Sequence, residues 1–496
     1  MIGFTPQLKC GWHQVKFRLH MHRIRRQKER GAKRIMKKSV YIVCMGLLTL
    51  VGAGFSQTNS YPPQLAAFRD AKEAQEQQLA RELHTRVPAE VNDFFKTVRQ
   101  GDLLTFSNML DQLGAQLYAG YNGGTNGFPA WMPFWQPMTE VETAYEIFAQ
   151  GGTKYPLAFG EGIISSIPAG SIYFGGSDGG RMLVPALCAD HAAGKPFYTL
   201  TQNALSDGGY MDYLRWMYGK EIHLPTTNDV QQAIDDYKAD ALRRYKEGRL
   251  KRGEDVQNGE VVLRAQLPVM SIHALLVNVI LQRNPTRECY LEESLTTDAL
   301  YPYLSPHGFI FKVSHEPLSA LPVAEMDADR AFWSKQCGAM LGDWLKPDTS
   351  VSNVCEFAEA VYKQKDLSHY TGDREFLTNN FAPKAFSKLR LSIAGLYQWR
   401  LMNGAGTADV GRLNQEADFA FRQAYTLCPT SPEVLFRYVD FLTAQHRFDD
   451  AILIVRTTLR LTPADDHFYD QYENLMMQLK QEREQSGTAM PGKRIF

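Results

Sequence analysis

The segment best suited to chemistry is a glycine-rich stretch, Gly170-Ser-Ile-Tyr-Phe-Gly-Gly-Ser-Asp-Gly-Gly-Arg181. A short apolar run enters four glycines and leaves toward a helix. Backbone amides around Gly175, Gly176 and Gly179, together with the helix N-terminus, would face an anion there, with Arg181 adding positive charge and Asp178 a polar contact. The spacing fits neither GxGxxG nor GxxxxGK[ST], which excludes a nucleotide fingerprint. Beside this reading stands the plainer one, a strand-end Gly/Asp loop that turns the chain. A second loop, Thr199-Leu-Thr-Gln-Asn-Ala-Leu-Ser-Asp-Gly-Gly209, follows the next apolar run. In a parallel sheet, loops at the C-terminal ends of strands open onto one crevice, so Asp178, Asn203 and Asp207 would converge as ligands for a sugar or a hydrated hard cation. The competing role for Asn203 and Asp207 is to cap a turn and a helix.

Other polar residues have structural readings. Glu292 and Glu293 follow the run Cys289-Tyr-Leu and either join that crevice or form a solvated face, the latter being the expectation. His273, on an apolar helix, reads as a core histidine, and His307, in Ser305-Pro-His-Gly308, as a turn residue with a structural hydrogen bond. HExxH is absent from the sequence. A Ser/His/Asp triad, whose members need no fixed spacing, stays open. The expectation is no resident metal and no cofactor.

These residues need elements to hold them. Residues 64–86 are rich in helix formers but poor in apolar side chains, giving a solvated stalk or a helix docked by one stripe. Glu90–Leu117 is helical with a break at Gly101-Asp102. Residues 119–138 carry no charge, hold four glycines, three prolines and five aromatic residues, and read as a loop. In it Tyr121, Phe128, Trp131, Phe134 and Trp135 form either a stacking surface or anchors to a neighbouring core. From Ile163 to Ser314 short apolar runs alternate with helical stretches. Strands are expected at Ser171–Phe174, Phe197–Leu200, Glu288–Leu291 and Gly308–Val313. Helices are expected at Arg181–Ala193, Gly209–Tyr218, Asp229–Gly248, Met270–Arg283 and Thr296–Leu304, with a hairpin at Asn258-Gly259. That alternation implies a Rossmann-like, largely parallel sheet.

Near the C-terminus Ala417, Phe421, Ala424 and Pro429 recur 34 residues later as Ala451, Val455, Thr458 and Pro463. Small, large, small and proline at that period is the tetratricopeptide signature, here about two and a half repeats long. Leu389–Arg400 and Pro432–Gln445 would supply the first helices, with an insertion around Met402–Val410, and Phe468–Leu479 a cap. The fold class is therefore α/β plus α. The layout is a leader (1–56), a helical region (57–118), an aromatic connector (119–162), an α/β domain (163–315), a helical connector (316–384), tetratricopeptide-like repeats (385–482) and a tail (483–496).

The chain has 496 residues and no formal net charge, yet the first 38 residues carry 12 Lys and Arg against the single acid Glu29. Beyond residue 56 the balance is 42 basic to 53 acidic side chains. So acidic a body excludes general nucleic-acid binding, which needs clustered cations. From Met36, two lysines, an apolar run Val40–Val51 and small residues at Gly54 and Ser56 have the order of a secretory signal. The other reading is an uncleaved anchor, the only route to membrane contact. Cys10 and Cys44 lie in the leader; Cys188, Cys289, Cys337, Cys355 and Cys428 follow without CxxC spacing, which excludes a zinc cluster and leaves a Cys337–Cys355 disulfide as one option.

The stretches SIYFGGSDGGR, PFYTLTQNALSDGGYMDYLRWMYG, CYLEESLTTDALYPYLSPHGFIFKV and KLRLSIAGLYQWR resemble the soluble C-terminal portion of bacterial protein O-mannosyltransferase-like membrane glycosyltransferases, and free-standing exported relatives of it. The resemblance covers Ile163–Pro463. It implies an exported envelope accessory or interaction protein that binds a sugar or peptide, partnered with an envelope protein or membrane glycosyltransferase. That family's transfer chemistry belongs to a polytopic module not found in this sequence, so no catalytic residue carries over. The alternative is a soluble carbohydrate-active or other enzyme using the Gly/Asp loops.

Overall fold

A computed structural model describes residues 61–122, 129–251, 253–263, 266–293, 299–404 and 409–488; the leader, the apolar run after Met36 and residues 489–496 lie outside them. Helix α1 (Pro63–Glu82) starts on a proline, which suits a first turn, and buries one stripe of Leu65, Phe68, Lys72, Gln75, Glu76 and Ala80. Gly101, at φ +76°, separates α2 (Ala89–Arg99) from α3 (Leu103–Asn122), and the Phe94 and Phe106 rings meet edge-on at 5.8 Å. The aromatic connector, expected as a loop, holds a helical turn at Met132–Phe134, and of the two readings of its rings the anchoring one describes them. Trp131 and Phe134 are buried and Trp135 opens α4 (Trp135–Gly151), so these rings anchor the chain instead of presenting a stacking surface. The side chains of Tyr121 and Phe128 lie outside what is described.

Next come α5 (Lys154–Ile164), β1 (Ile172–Gly175), a π-helical turn at Gly179–Leu183 running into the short α6 (Val184–Leu187), and β2 (Tyr198–Thr201). The single helix expected over Arg181–Ala193 is thus broken. Helix α7 (Gly208–Tyr218) precedes α8 (Thr227–Lys246), which begins with a reciprocal Thr226/Asp229 capping box. Strands β3 (Glu254–Gln257) and β4 (Glu260–Leu263) form the expected hairpin. Asn258 (φ +52°) and Gly259 (φ +80°) are both left-handed, as a two-residue turn matched to strand twist requires. Helix α9 (Gln266–Arg283) leads to β5 (Cys289–Leu291), β6 (Leu304–His307) and β7 (Ile310–Val313). Part of the expected helix 296–304 lies outside the described residues. Its end is a single turn, Tyr301–Tyr303, followed by β6, which the sequence reading missed.

The rest is helical: α10 (Val323–Leu341), α11 (Val351–Ala358) with a π-helical continuation to Gln364, α12 (Arg374–Thr378), α13 (Ala382–Met402), α14 (Val410–Leu427), α15 (Pro432–Ala444), α16 (Phe448–Leu461) and α17 (Tyr469–Thr488). The architecture is a mixed α/β fold, with a five-stranded and a two-stranded sheet, followed by an array of paired helices. None of the described helices is long and apolar enough to cross a membrane.

Two compact units emerge. Among the described residues, the first comprises those up to Ala149 with Ala192–Gly194 and Asn203–Arg283; the second comprises Gln150–His191, Lys195–Gln202 and those from Asn284 onward. In the second unit the sheet order is β2-β1-β5-β7-β6. Strand β1 is parallel to β2 and β5, whereas β7 is antiparallel to β5 and β6, so the sheet is evenly mixed and not largely parallel. In the array, Ala417, Phe421 and Ala424 of α14 and Ala451, Val455 and Thr458 of α16 are all buried, with Phe421 stacked on Tyr438 at 5.5 Å. The outer side of α14 and α16 is covered by α11 and its continuation: the Tyr362 hydroxyl donates to the Thr426 carbonyl (2.9 Å) and Arg460 pairs with Glu359 (2.7 Å). The optional Cys337–Cys355 disulfide is not formed; both are free thiols, as are Cys188, Cys289 and Cys428.

Candidate functional site

Strands β1 and β5 run side by side in the register Ile172↔Cys289 to Phe174↔Leu291, so their C-terminal ends open together. The chain leaves β1 for β2 on one side while β5 lies on the other. That arrangement is a topological switch point, where α/β sheets place ligands. The glycine loop folds back tightly here. A Cβ on Gly175 would lie 2.6 Å from the Gly180 carbonyl carbon and 2.7 Å from Arg181 Cα, both backbone, so only glycine fits.

The loop does form an anion cradle, and the chain itself fills it. Glu292, just past β5, accepts hydrogen bonds at Oε2 from the Gly176 amide (2.7 Å) and the Ser177 amide (2.6 Å). Ser177 Oγ accepts from the Gly180 amide (3.1 Å), closing the turn. A Cβ on Gly180 would overlap Glu292 Oε2 and come within 2.9 Å of the Tyr173 hydroxyl. Glu292 is 1% exposed and Glu293 4%, which corrects the expectation of a solvated face. Burial raises the Glu292 carboxyl above its usual range, opposed by the loop's hydrogen bonds and by the charge of Lys388 on α13. Glu292 Oε1 and the Tyr173 hydroxyl are buried without a partner among the described residues.

Glu293 accepts from the Tyr301 hydroxyl (2.8 Å), and its carboxyl too is raised by burial and opposed by Arg437 of α15. The Arg437 guanidinium reaches this position because residue 395 of α13 is glycine; a Cβ there would overlap Nη2. Two buried carboxyls from one strand end are thus matched by one cation from each of two first helices of the array.

Of the residues singled out from the sequence, Gly175, Gly176 and Gly179 build the cradle, Gly179 lying near Phe159. Asp178 is an exposed ion-pair partner of Arg181 (2.6 Å), while Arg181 Nη1 is buried and unpartnered. Asn203, in the turn Gln202–Ala204, and Asp207 belong to the first unit. Asp207 caps α7, accepting from the Tyr210 amide at 2.8 Å, the plainer of its two roles. Asp178 belongs to the second unit. His273 hydrogen-bonds Ser206 (2.7 Å) in the core, at 2% and 8% exposure, and His307 Nε2 meets the Ser166 carbonyl (2.8 Å), both as structural partners. Among the described residues no cluster of three His, Cys, Asp or Glu is placed to hold a metal.

The sequence reading missed a buried ionic group in the first unit. Lys72 pairs with Glu140 and donates to the Tyr213 hydroxyl (2.8 Å), with Glu76 buried beside them. Comparison with family models, curated proteins and solved structures finds no match.

Proposed function

We propose that this chain is an exported accessory protein of the bacterial cell envelope that acts by binding, associated with protein or cell-surface glycosylation, and that it recognises a glycan or a peptide of an envelope partner. The observation that carries this reading is Glu292. The glycine-loop cradle, an arrangement suited to a diffusible phosphate, is occupied by an internal carboxylate, which argues for a structural use of the loop over nucleotide or phosphoryl chemistry. The reading takes the helical array as tetratricopeptide-like, supported by the buried small-large-small positions at a 34-residue spacing, and the parallel β2-β1-β5 core as Rossmann-like. The signal-like segment and the resemblance over Ile163–Pro463 support the envelope assignment.

The test is capture from envelope extract by the purified full chain lacking its leader, together with a glycan array. Recovery of a defined envelope protein or glycan is expected. Turnover of an activated sugar or glycoside by the chain alone, or cytosolic recovery of the intact polypeptide on fractionation, would replace this reading with the soluble-enzyme alternative.

A further inference from the structure

A cleft of about 260 Å³ lies in the second unit between the β6–β7 hairpin and α10, with Pro306, Lys312, Glu325, Ala328, Asp329 and Phe332 in its lining. Its walls are mostly apolar, and its size suits one side chain better than a drug-sized ligand. Glu325 and Asp329 stand four residues apart on α10 and so share a face. Asp329 has a fully buried side chain. Its Oδ2 accepts from Arg390 (2.8 Å) and the Tyr397 hydroxyl (2.8 Å), but its Oδ1 is unpartnered, and Glu325 Oε2 is likewise buried and unpartnered.

The charges around the cleft do not cancel. Asp329 is balanced by Arg390 and Lys312 by Glu288 (2.6 Å), whereas Glu325 makes no ion pair among the described residues. Carboxylate oxygens only accept, so an occupant must donate, and one uncompensated negative charge favours a cation. An apolar wall carrying the Phe332 ring suits the stem and cationic head of a basic side chain.

We infer that this cleft binds the side chain of a lysine or arginine on a partner polypeptide. The head takes Glu325 Oε2 and Asp329 Oδ1, and the stem lies between Pro306 and Phe332. The inference names the partner chemistry of the binding function proposed above and rests on that reading only in taking the partner to be a polypeptide. Calorimetry on the full chain with N-acetyl-lysine and N-acetyl-arginine methylamides, against the uncharged norleucine analogue, tests it directly. A second signal comes from Trp333, whose indole donates to the Gly308 carbonyl at the cleft wall (3.2 Å). A dissociation constant on the order of a millimolar is expected for a single side chain. Binding should be about tenfold weaker for norleucine and for Glu325→Gln. Ala328→Leu, which fills the cleft from an exposed position, should abolish it while leaving the melting temperature unchanged. Equal binding of norleucine, no binding of either basic probe, or full binding by both variants overturns the inference. Capture of an envelope partner unaffected by Glu325→Gln would overturn it while leaving the binding function standing.

Discussion

A Cβ on Gly180 would displace Glu292 Oε2 from the amides of Gly176 and Ser177 and press on the Tyr173 hydroxyl. Because Glu292 is 1% exposed, its carboxylate has nowhere solvated to retreat, and an unpaired buried charge with two unmade amide bonds remains. Gly180→Ala should therefore cost about 2–4 kcal/mol, read from denaturant melts. Gly175→Ala meets backbone at 2.6 Å and should cost at least as much. Gly208→Ala, with open space around its Cβ, should stay within about 0.5 kcal/mol of wild type. Equal stability of Gly180→Ala and Gly208→Ala would sink the cradle. The glycine loop was legible in the sequence because four glycines after an apolar strand mark a tight strand-end turn whether or not it holds an anion. Its anion was not, since two glutamates after Leu291 look solvated until the neighbouring strand and α13 are known to bury them.

Helix α1 illustrates the same limit over a whole element. Its sparse apolar residues left a solvated stalk and a docked stripe both open; the structure buries Leu65, Phe68 and Ala80 and with them Lys72 and Glu76, whose burial depends on Glu140 of α4 and Tyr213 of α7. Burial holds the Glu76 carboxyl well above its ordinary range, against the pull of Lys72 and helped by Glu140. A folded-state pKa above the unfolded value means the native state binds the extra proton. Stability is then greatest below the unfolded pKa of about 4.5 and is lost as pH rises toward the folded pKa. Glu76→Gln, which cannot ionise, should leave the melting temperature at pH 4 nearly unchanged and raise it by about 2–4 °C at pH 8. Parallel curves for variant and wild type from pH 4 to pH 9 would refute the assignment. Elements set by local rules were readable: the Asn258-Gly259 turn, the break at Gly101 and the 34-residue spacing of Ala417 and Ala451. Strand β6 was not, because Pro306 makes Leu304–His307 read as a turn, and a proline is tolerated there only because β6 is a sheet edge. Strand β7 was readable over Gly308–Val313, but its antiparallel direction was not, since strand direction leaves no mark on a four-residue pattern.

Across the whole molecule, long-range closure does the organising. Residues 203–283 separate β2 from β5 in the chain and belong to the first unit, yet β1, β2 and β5 build one sheet in the second. Joining them costs loop entropy that only extensive burial can offset. The thiols report on that burial. All five described cysteines are free, and Cys289, Cys337, Cys355 and Cys428 are buried. Burial pushes the thiols of Cys188, Cys289, Cys337 and Cys355 up to about 12 and raises Cys428 as well. On the proposed route out of the cytosol, an odd number of thiols has to be kept from oxidation, and packing supplies the means. Since the thiolate is the nucleophile, a pKa near 12 in place of about 9 lowers its population roughly a thousandfold at pH 7. In the native chain these five cysteines should resist iodoacetamide for hours, and in guanidinium all five should label together within minutes, as peptide mass spectrometry would resolve. Rapid native labelling of Cys337 or Cys355 would mean that the helices around them open independently of the sheet. Simultaneous protection of Cys289 in β5 and Cys428 after α14, lost at one denaturant concentration, is the outcome expected of a sheet and a helical array that unfold as one cooperative body.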